Sequence, residues 1–301
     1  MKIHTLDLNY QNIPQTIAAY LVMGDEPVLV ETGPGSTLAN LLARLASYGI
    51  RPMDVKHVLV THIHLDHAGA AGWWAQQGAQ VYVHPLGAPH LIDPSKLLAS
   101  AGRIYGDKMD MLWGETVAAP AERVTIVQDN DQIRVAGLTF TAVETPGHAY
   151  HHHVYRVEDI AIMGDLGGIH LPGSKMIDLP APPPEFHMEK WLESLDRILA
   201  EDLRRIYLVH FGEVTQVREH LLAMKALVGE TAVFIHQQME AGLEQAQIIT
   251  NYEHWNRERA RQLGIDAETI SQYETANPWY MSVQGVMRYW RKRQEGKASA
   301  K

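Results

Sequence analysis

The chain has no cysteine among its 301 residues. Disulfides and thiolate ligands are therefore excluded, and any bound metal must be held by histidine, aspartate or glutamate. No apolar run approaches the length of a membrane span, and the N-terminal Met1-Lys2-Ile3-His4-Thr5-Leu6-Asp7 lacks the apolar core of a signal segment. A cytoplasmic location without a membrane partner is the expectation. A basic excess is also missing, the formal net charge being −9. Nucleic acid, whose recognition needs a cationic surface, fits poorly as a partner, and a small-molecule substrate is expected instead. The locally basic Arg288, Arg291, Lys292 and Arg293 read as a solvated helix end. No internal repeat at solenoid spacing is evident. The apolar fraction of 46% is ordinary for a globular protein and sufficient for a sizeable core.

Against these absences stands one run, Thr61-His62-Ile63-His64-Leu65-Asp66-His67, directly after the β-branched segment His57-Val58-Leu59-Val60. If the strand continues, alternation points His62 and His64 to the same side. Asp66 and His67 then fall on the turn into the next element. Neutral imidazole and carboxylate are the ligand set for zinc and comparable divalent ions. A solvated polar loop is the competing reading.

The rest of the chain reads as two runs of strands with interleaved helices. Pro27–Glu31 is strand-like and closes on Thr32-Gly33-Pro34-Gly35. Ser36 or Thr37 can cap a helix bearing Leu38, Leu41, Leu42 and Leu45, which ends at Gly49. Strand 57–61, a helix from Ala68–Gly72 through Gln77 and a strand over Gln80–His84 follow. Residues 85–120, interrupted by prolines and glycines, read as an irregular insertion near the site. Val124–Val127, Gln132–Val135 and Leu138–Val143 are strand-like, and Val154–Val157 with Ile160–Met163 form a hairpin around Glu158-Asp159. Pro180–Pro184 is a stiff spacer. A helix carrying Trp191, Leu195, Ile198 and Leu199 precedes a final strand, Arg205–His210, and everything after Gly212 reads helical. The expectation is an α/β chain: two sheets between helical layers over residues 1–212, with a helical extension over 213–301 packed on that core.

Four places share one pattern, an apolar strand ending in a metal-type residue. They are the histidine run, Val143-Glu144-Thr145-Pro146-Gly147-His148, Ile162-Met163-Gly164-Asp165 and Leu208-Val209-His210-Phe211-Gly212. Ligands at the ends of rigid elements make preorganised sites. In this order the segments resemble the metallo-β-lactamase superfamily, over about residues 15–212. The resemblance implies an αββα sandwich with a dinuclear site at one edge. It implies that His62, His64 and His148 hold one ion, that Asp66, His67 and His210 hold a second, and that Asp165 bridges both. The implied cofactors are two divalent ions, zinc first and iron or manganese as alternatives. A shared hydroxide would attack a carbonyl or phosphoryl centre. Asp66 is a ligand first and a proton acceptor second.

The chain departs from the pattern in two places. Glu31 stands where many members carry aspartate, either supporting a ligand histidine or capping structure. His151-His152-His153 is richer than usual. His151 and His152 are candidates to support the ligands or touch substrate, and strand alternation predicts that one of His152 and His153 is buried and the other exposed. Tyr150 stands near the mouth or merely packs. Tyr252, Trp255, Tyr273, Trp279 and Tyr280 are candidates for a pocket wall, with Tyr273 to Met281 bordering it, and helix packing is the alternative. Met281, Val286, Met287 and Trp290 can form a homodimer seam or dock on the core.

The leading functional expectation is a hydrolase of esters, thioesters, lactones or phosphoesters, similar to the hydroxyacylglutathione hydrolase and lactonase branch. The alternatives are a promiscuous phosphotriesterase or phosphodiesterase, and a non-haem iron redox enzyme of persulfide dioxygenase type.

Overall fold

The computed structural model describes residues 1–299, with side-chain environments through residue 295. The last residues of the 213–301 extension therefore lie outside the described residues. Six strands form the first sheet in spatial order: β1 (Lys2–Asp7), β2 (Ala18–Met23), β3 (Pro27–Val30), β4 (His57–Leu59), β5 (Gln80–Val83) and β6 (Val124–Ile126). β1 to β3 pair antiparallel and β3 to β6 pair parallel. Parallel pairing requires crossovers. These are supplied by α1 (Leu38–Ser47), by α2 (Leu65–Ala68) with α3 (Ala71–Gln76), and by α4 (Ala88–Ile92), α5 (Ser95–Tyr105) and α6 (Met109–Trp113).

The second sheet holds β7 (Gln132–Val135), β8 (Leu138–Glu144), β9 (His153–Val157), β10 (Ile160–Ile162), β11 (Arg205–Leu208) and β12 (Gly212–Val214), in the order β12-β11-β10-β9-β8-β7. Its parallel pair, β10 with β11, is bridged by α7 (Met188–Leu199), whose Trp191, Leu195 and Ile198 are buried. The sheets are joined face to face. The Ala18 N–H donates to the Val209 carbonyl at 2.8 Å, the His153 N–H to the Thr61 carbonyl at 2.7 Å, and the Tyr155 hydroxyl to the Val60 carbonyl at 3.1 Å. The result is the αββα sandwich.

α8 (Val217–Glu240), α9 (Gln245–Gln262), α10 (Ala267–Ala276) and α11 (Trp279–Ser299) complete the chain. They are pegged to the loop after Gly168: Tyr273 donates to the Met176 carbonyl, and the Asn277 amide and the Trp279 indole N–H both donate to Asp178. Met281, Val286 and Met287 are buried within the chain, and Trp290 is partly buried against the same apolar cluster. These residues dock on the core, so they offer no exposed dimer seam. Among the described residues, no helix is long and apolar enough to cross a membrane.

Several elements differ from the sequence-based expectation. β1 and β2 were not anticipated: β2 is an apolar run without alternation because both its faces are covered. β12 extends the second sheet to Val214, so the chain is not helical directly after Gly212. β6 and β7 lie in different sheets, and the turn at 127–131 carries the chain from one to the other. Neither Ser36 nor Thr37 caps α1 through its side chain. Their hydroxyls donate to the carbonyls of Leu112 and Pro34 instead.

Candidate metal centre

The parallel strands deliver the motif residues to one edge of the sandwich. β4 stops at Leu59, so His62 and His64 are not aligned by strand alternation. The loop itself is clamped: the Thr61 N–H donates to Glu31 Oε1 at 3.0 Å, while the Thr61 carbonyl accepts from His153. Two imidazole nitrogens converge on His64 Nδ1, from His62 Nε2 at 3.0 Å and from His148 Nε2 at 2.8 Å.

His148 donates from Nδ1 to the Pro180 carbonyl at 2.8 Å, and His210 donates from Nδ1 to the Thr16 carbonyl at 2.7 Å. Both therefore present an Nε2 lone pair inward. His210 Nε2 lies 3.5 Å from both Asp66 and Asp165. Asp165 divides its oxygens, with Oδ2 at 3.2 Å from His148 Nε2 and Oδ1 at 3.1 Å from His67 Nε2. Ligand-type atoms group within 4.8 Å of one another in three overlapping sets: His62 with His64 and His148, His62 with His67 and Asp165, and Asp66 with His67 and His210.

The two ends of this row differ electrostatically. Burial, followed by the neighbouring imidazoles, holds His62 well below the usual histidine range, and burial takes His148 down to about 4 and lowers His64. At the other end burial is outweighed by charge. Asp165 and Asp66 raise His67 and His210, with Glu31 adding to the effect on His67. Asp66 falls to about 2 because His67 and His210 overcome its desolvation, and Asp165 is lowered for the same reason.

These residues fit divalent metal. Both ring nitrogens of His67 and Oδ1 of Asp165 are buried without a hydrogen-bond partner, which folded proteins rarely tolerate. A cation on the Nε2 side of His67 would satisfy that nitrogen and Asp165 Oδ1, while His67 Nδ1 faces Glu31 Oε2 at 3.5 Å, and the all-nitrogen-and-oxygen donor set suits zinc or a similar first-row ion.

The surrounding candidates separate into groups. Glu31 is buried, with Oε2 3.5 Å from His67 Nδ1, so it combines both anticipated roles, holding the Thr61 amide and facing a ligand-type histidine. His152 Nε2 accepts the Asp165 N–H at 3.1 Å, which leaves Nδ1 to donate to Thr145 Oγ1 at 2.8 Å. A Cβ on Gly164 (φ +52°) would lie 2.5 Å from His152 Nε2, so the contact requires glycine there. His151 lines the cavity, 3.4 Å from Glu185. The expected exposure of one of His152 and His153 does not occur. Both are buried, His152 in the loop just before β9, where it bonds Thr145 and the Asp165 N–H, and His153 at the start of β9 with no hydrogen-bond partner for either nitrogen among the described residues.

A cavity of about 320 Å³ opens above the ligand-type residues. Tyr150 does not border it. This residue is on the surface with Lys190 over its ring. The C-terminal segment reaches the cavity through Thr275, Ala276, Asn277, Pro278 and Met281, not through its aromatics. Trp279 is buried by its bond to Asp178, Tyr252, Trp255 and Tyr273 pack internally, and Tyr280 lies outside the lining. The aromatic wall comes from Tyr10, Tyr105 and Trp113 instead. The insertion over 85–120 signalled the last two by position. Nothing local marked Tyr10, which arrives through the β1–β2 connection.

A family model described as the metallo-beta-lactamase superfamily matches residues 13–210. The metallo-beta-lactamase fold-containing protein ST1585 of Sulfurisphaera tokodaii is 25% identical over 229 residues, 74% of this chain and 84% of that protein. Its solved structure matches with a TM-score of 0.63. The structure of metallo-beta-lactamase family protein TTHA1429 from Thermus thermophilus matches with a TM-score of 0.70 at 20% identity, covering 97% of this chain and 94% of that one. The atrochrysone carboxyl ACP thioesterase dmxR1 of Cryptosporiopsis sp. is 23% identical over 62% of this chain, which spans only 46% of that protein.

Proposed function

The chain belongs to the metallo-β-lactamase superfamily, and on that premise we propose that it is a hydrolase carrying two divalent ions, zinc foremost. His62, His64 and His148 hold one ion, Asp66, His67 and His210 hold the other, and Asp165 spans both. The observation that carries this reading is the division of the Asp165 oxygens, one toward His148 and the other toward His67 and His210. Ions bound there supply Lewis acidity for a substrate oxygen and acidify coordinated water.

The chain's own groups prepare that chemistry. The carbonyls of Pro180 and Thr16 fix the tautomers of His148 and His210. Glu31 orients His67 from behind. His152 holds the main chain of Asp165, which fixes where its side chain enters the row. Asp66 Oδ2 faces His67 and His210 at 3.7 and 3.5 Å and is a ligand in this reading. The bond cut is an ester, thioester, lactone or phosphoester. A relative named as a thioesterase supports acyl transfer to water as the class.

The test is metal analysis by inductively coupled plasma together with a reconstituted screen across lactones, thioesters, phosphodiesters and phosphotriesters. About two equivalents of metal and metal-dependent hydrolysis are expected. Full hydrolytic activity without metal would sink the reading. A coloured iron protein that consumes oxygen would replace it with the redox alternative.

A further inference from the structure

The cavity above the metal row has two unlike surfaces. Its floor is imidazole and carboxylate. Its wall is apolar, and α5 supplies much of it: Leu97, Ala101, Ile104 and Tyr105 recur at helical spacing and all line the space. Pro180 and Met281 also line it, from outside the insertion. Trp113 is sandwiched between two tyrosines, with its ring centroid 6.0 Å from Tyr10 and 5.1 Å from Tyr105. Apart from the metal row and its His151 neighbour, the wall's basic side chains are His90 and Lys96, and Lys96 is exposed. A multiply charged thiol carrier would need a cluster of cations beyond the metal row, and an apolar wall favours an apolar group over a charged one there. The wall lacks such a cluster.

One polar atom stands out on this wall. The Tyr105 hydroxyl has no hydrogen-bond partner among the described residues. Tyr105 lines the same cavity as His64, Asp66, His148, Asp165 and His210, and burial, then the charge of Asp66, raises the pKa of its hydroxyl, which therefore stays a protonated donor. The Tyr10 hydroxyl feels Asp66 as well, but sits beside the Gln11 side chain.

We propose that the substrate is a carboxylic ester, thioester or lactone with an apolar acyl portion seated on the α5 wall, and that the Tyr105 hydroxyl donates a hydrogen bond to its acyl oxygen. In the reaction the acyl carbon gains an oxygen from water, its bond to the alcohol oxygen or thiol sulfur breaks, and the leaving atom takes the proton. The hydroxyl of Tyr105 strengthens its hydrogen bond as charge collects on the acyl oxygen. This deepens the hydrolase reading above and rests on it.

The experiment compares p-nitrophenyl butyrate, p-nitrophenyl decanoate and bis(p-nitrophenyl) phosphate on the zinc-loaded full chain. In parallel, butanoate and decanoate binding is measured by calorimetry. The decanoate ester should exceed the butyrate ester at least tenfold in kcat/KM, since each buried methylene contributes roughly threefold to fourfold. The phosphodiester should be the poorest of the three. Tyr105→Phe should lower kcat on the decanoate ester about tenfold or more, with KM within about twofold and zinc content unchanged. Tyr10→Phe should be the milder change. Leu97→Asp should weaken decanoate binding about tenfold while leaving butanoate alone.

Equal rates on the two esters, preference for the phosphodiester, or an unaffected Tyr105→Phe would overturn the proposal. If no ester is cleaved but decanoate binding depends on chain length and on Leu97, the apolar site stands and the hydrolase reading falls.

Discussion

The floor and the wall of the cavity are built by different rules. The floor is made of seven side chains delivered by strand ends and the turns that follow them, and four of them are supported from outside the row: His67 by Glu31, His148 and His210 by main-chain carbonyls, and the main chain of Asp165 by His152. The wall is made of helix faces and a proline run, with apolar side chains held by packing alone. On the proposed function, a floor residue should change chemistry when removed. An apolar wall residue is replaceable in kind and should change which molecule fits, Tyr105 with its hydroxyl being the exception proposed above. Chemistry and selectivity are thus separable here, and that separation can be attacked directly.

The heaviest blow falls on the floor. Asp165→Ala should lower occupancy at both proposed metal positions and cut kcat by roughly 10²–10³ or more. Loss of a single ion with turnover retained would show that Asp165 does not span the row. One layer further out, His152→Ala should cost about 10–100-fold in metal affinity or turnover with the fold intact by circular dichroism. His153→Ala should cost far less turnover, since His153 touches His84 and Tyr155 and not the metal row. Equal effects at the two positions would erase the boundary between them.

His153 instead marks a pH effect. Burial, then His84, holds it at about 3, well below the value of about 6.5 expected in the unfolded chain. Between those values the unfolded state binds the extra proton, so stability falls as pH drops from about 6.5 toward 3. His153→Phe should flatten that acid limb of the thermal midpoint measured against pH. An unchanged slope would mean that the ring is charged or hydrated in the fold.

The wall gives the smaller effects. Ile104→Ala, at a residue that is 40% exposed and lines the cavity, should re-rank acyl substrates with metal content and midpoint nearly unchanged. Smallest in turnover is Trp279→Ala, which should lower stability by about 3 kcal/mol or more and leave the ranking alone. A changed ranking there would return the C-terminal aromatics to the wall.

The seven floor residues were legible because each sits in a short local pattern, an apolar strand followed by a ligand-type side chain. The His62–His64 geometry was read through a strand, 57–61, that in fact ends at Leu59. The rings still meet, because Glu31 and His153 clamp the loop between them. Tyr10 was not read as a wall residue, and Tyr105 and Trp113 were signalled only by their place in the 85–120 insertion, since aromatic residues at helix ends and turns look the same whether they pack or line a cavity. Trp279 and Tyr280 were read as wall candidates for the same reason, and a buried carboxylate, Asp178, draws Trp279 inward instead.

By itself the sequence determined the donor chemistry: no thiolate, an imidazole-rich set, and carboxylates at Asp66 and after Gly164, the spanning role of Asp165 coming only from the family resemblance. Residue type and strand-end position are local properties, and one chain suffices to read them. Only the tertiary structure decided what stands opposite that set. The burial of both His152 and His153, the division of the Asp165 oxygens and the apolar face of α5 above the row depend on which elements the two sheets bring together. Such contacts join residues up to about 200 positions apart, as between Thr16 and His210, and they follow from the closing of one core and not from any local pattern.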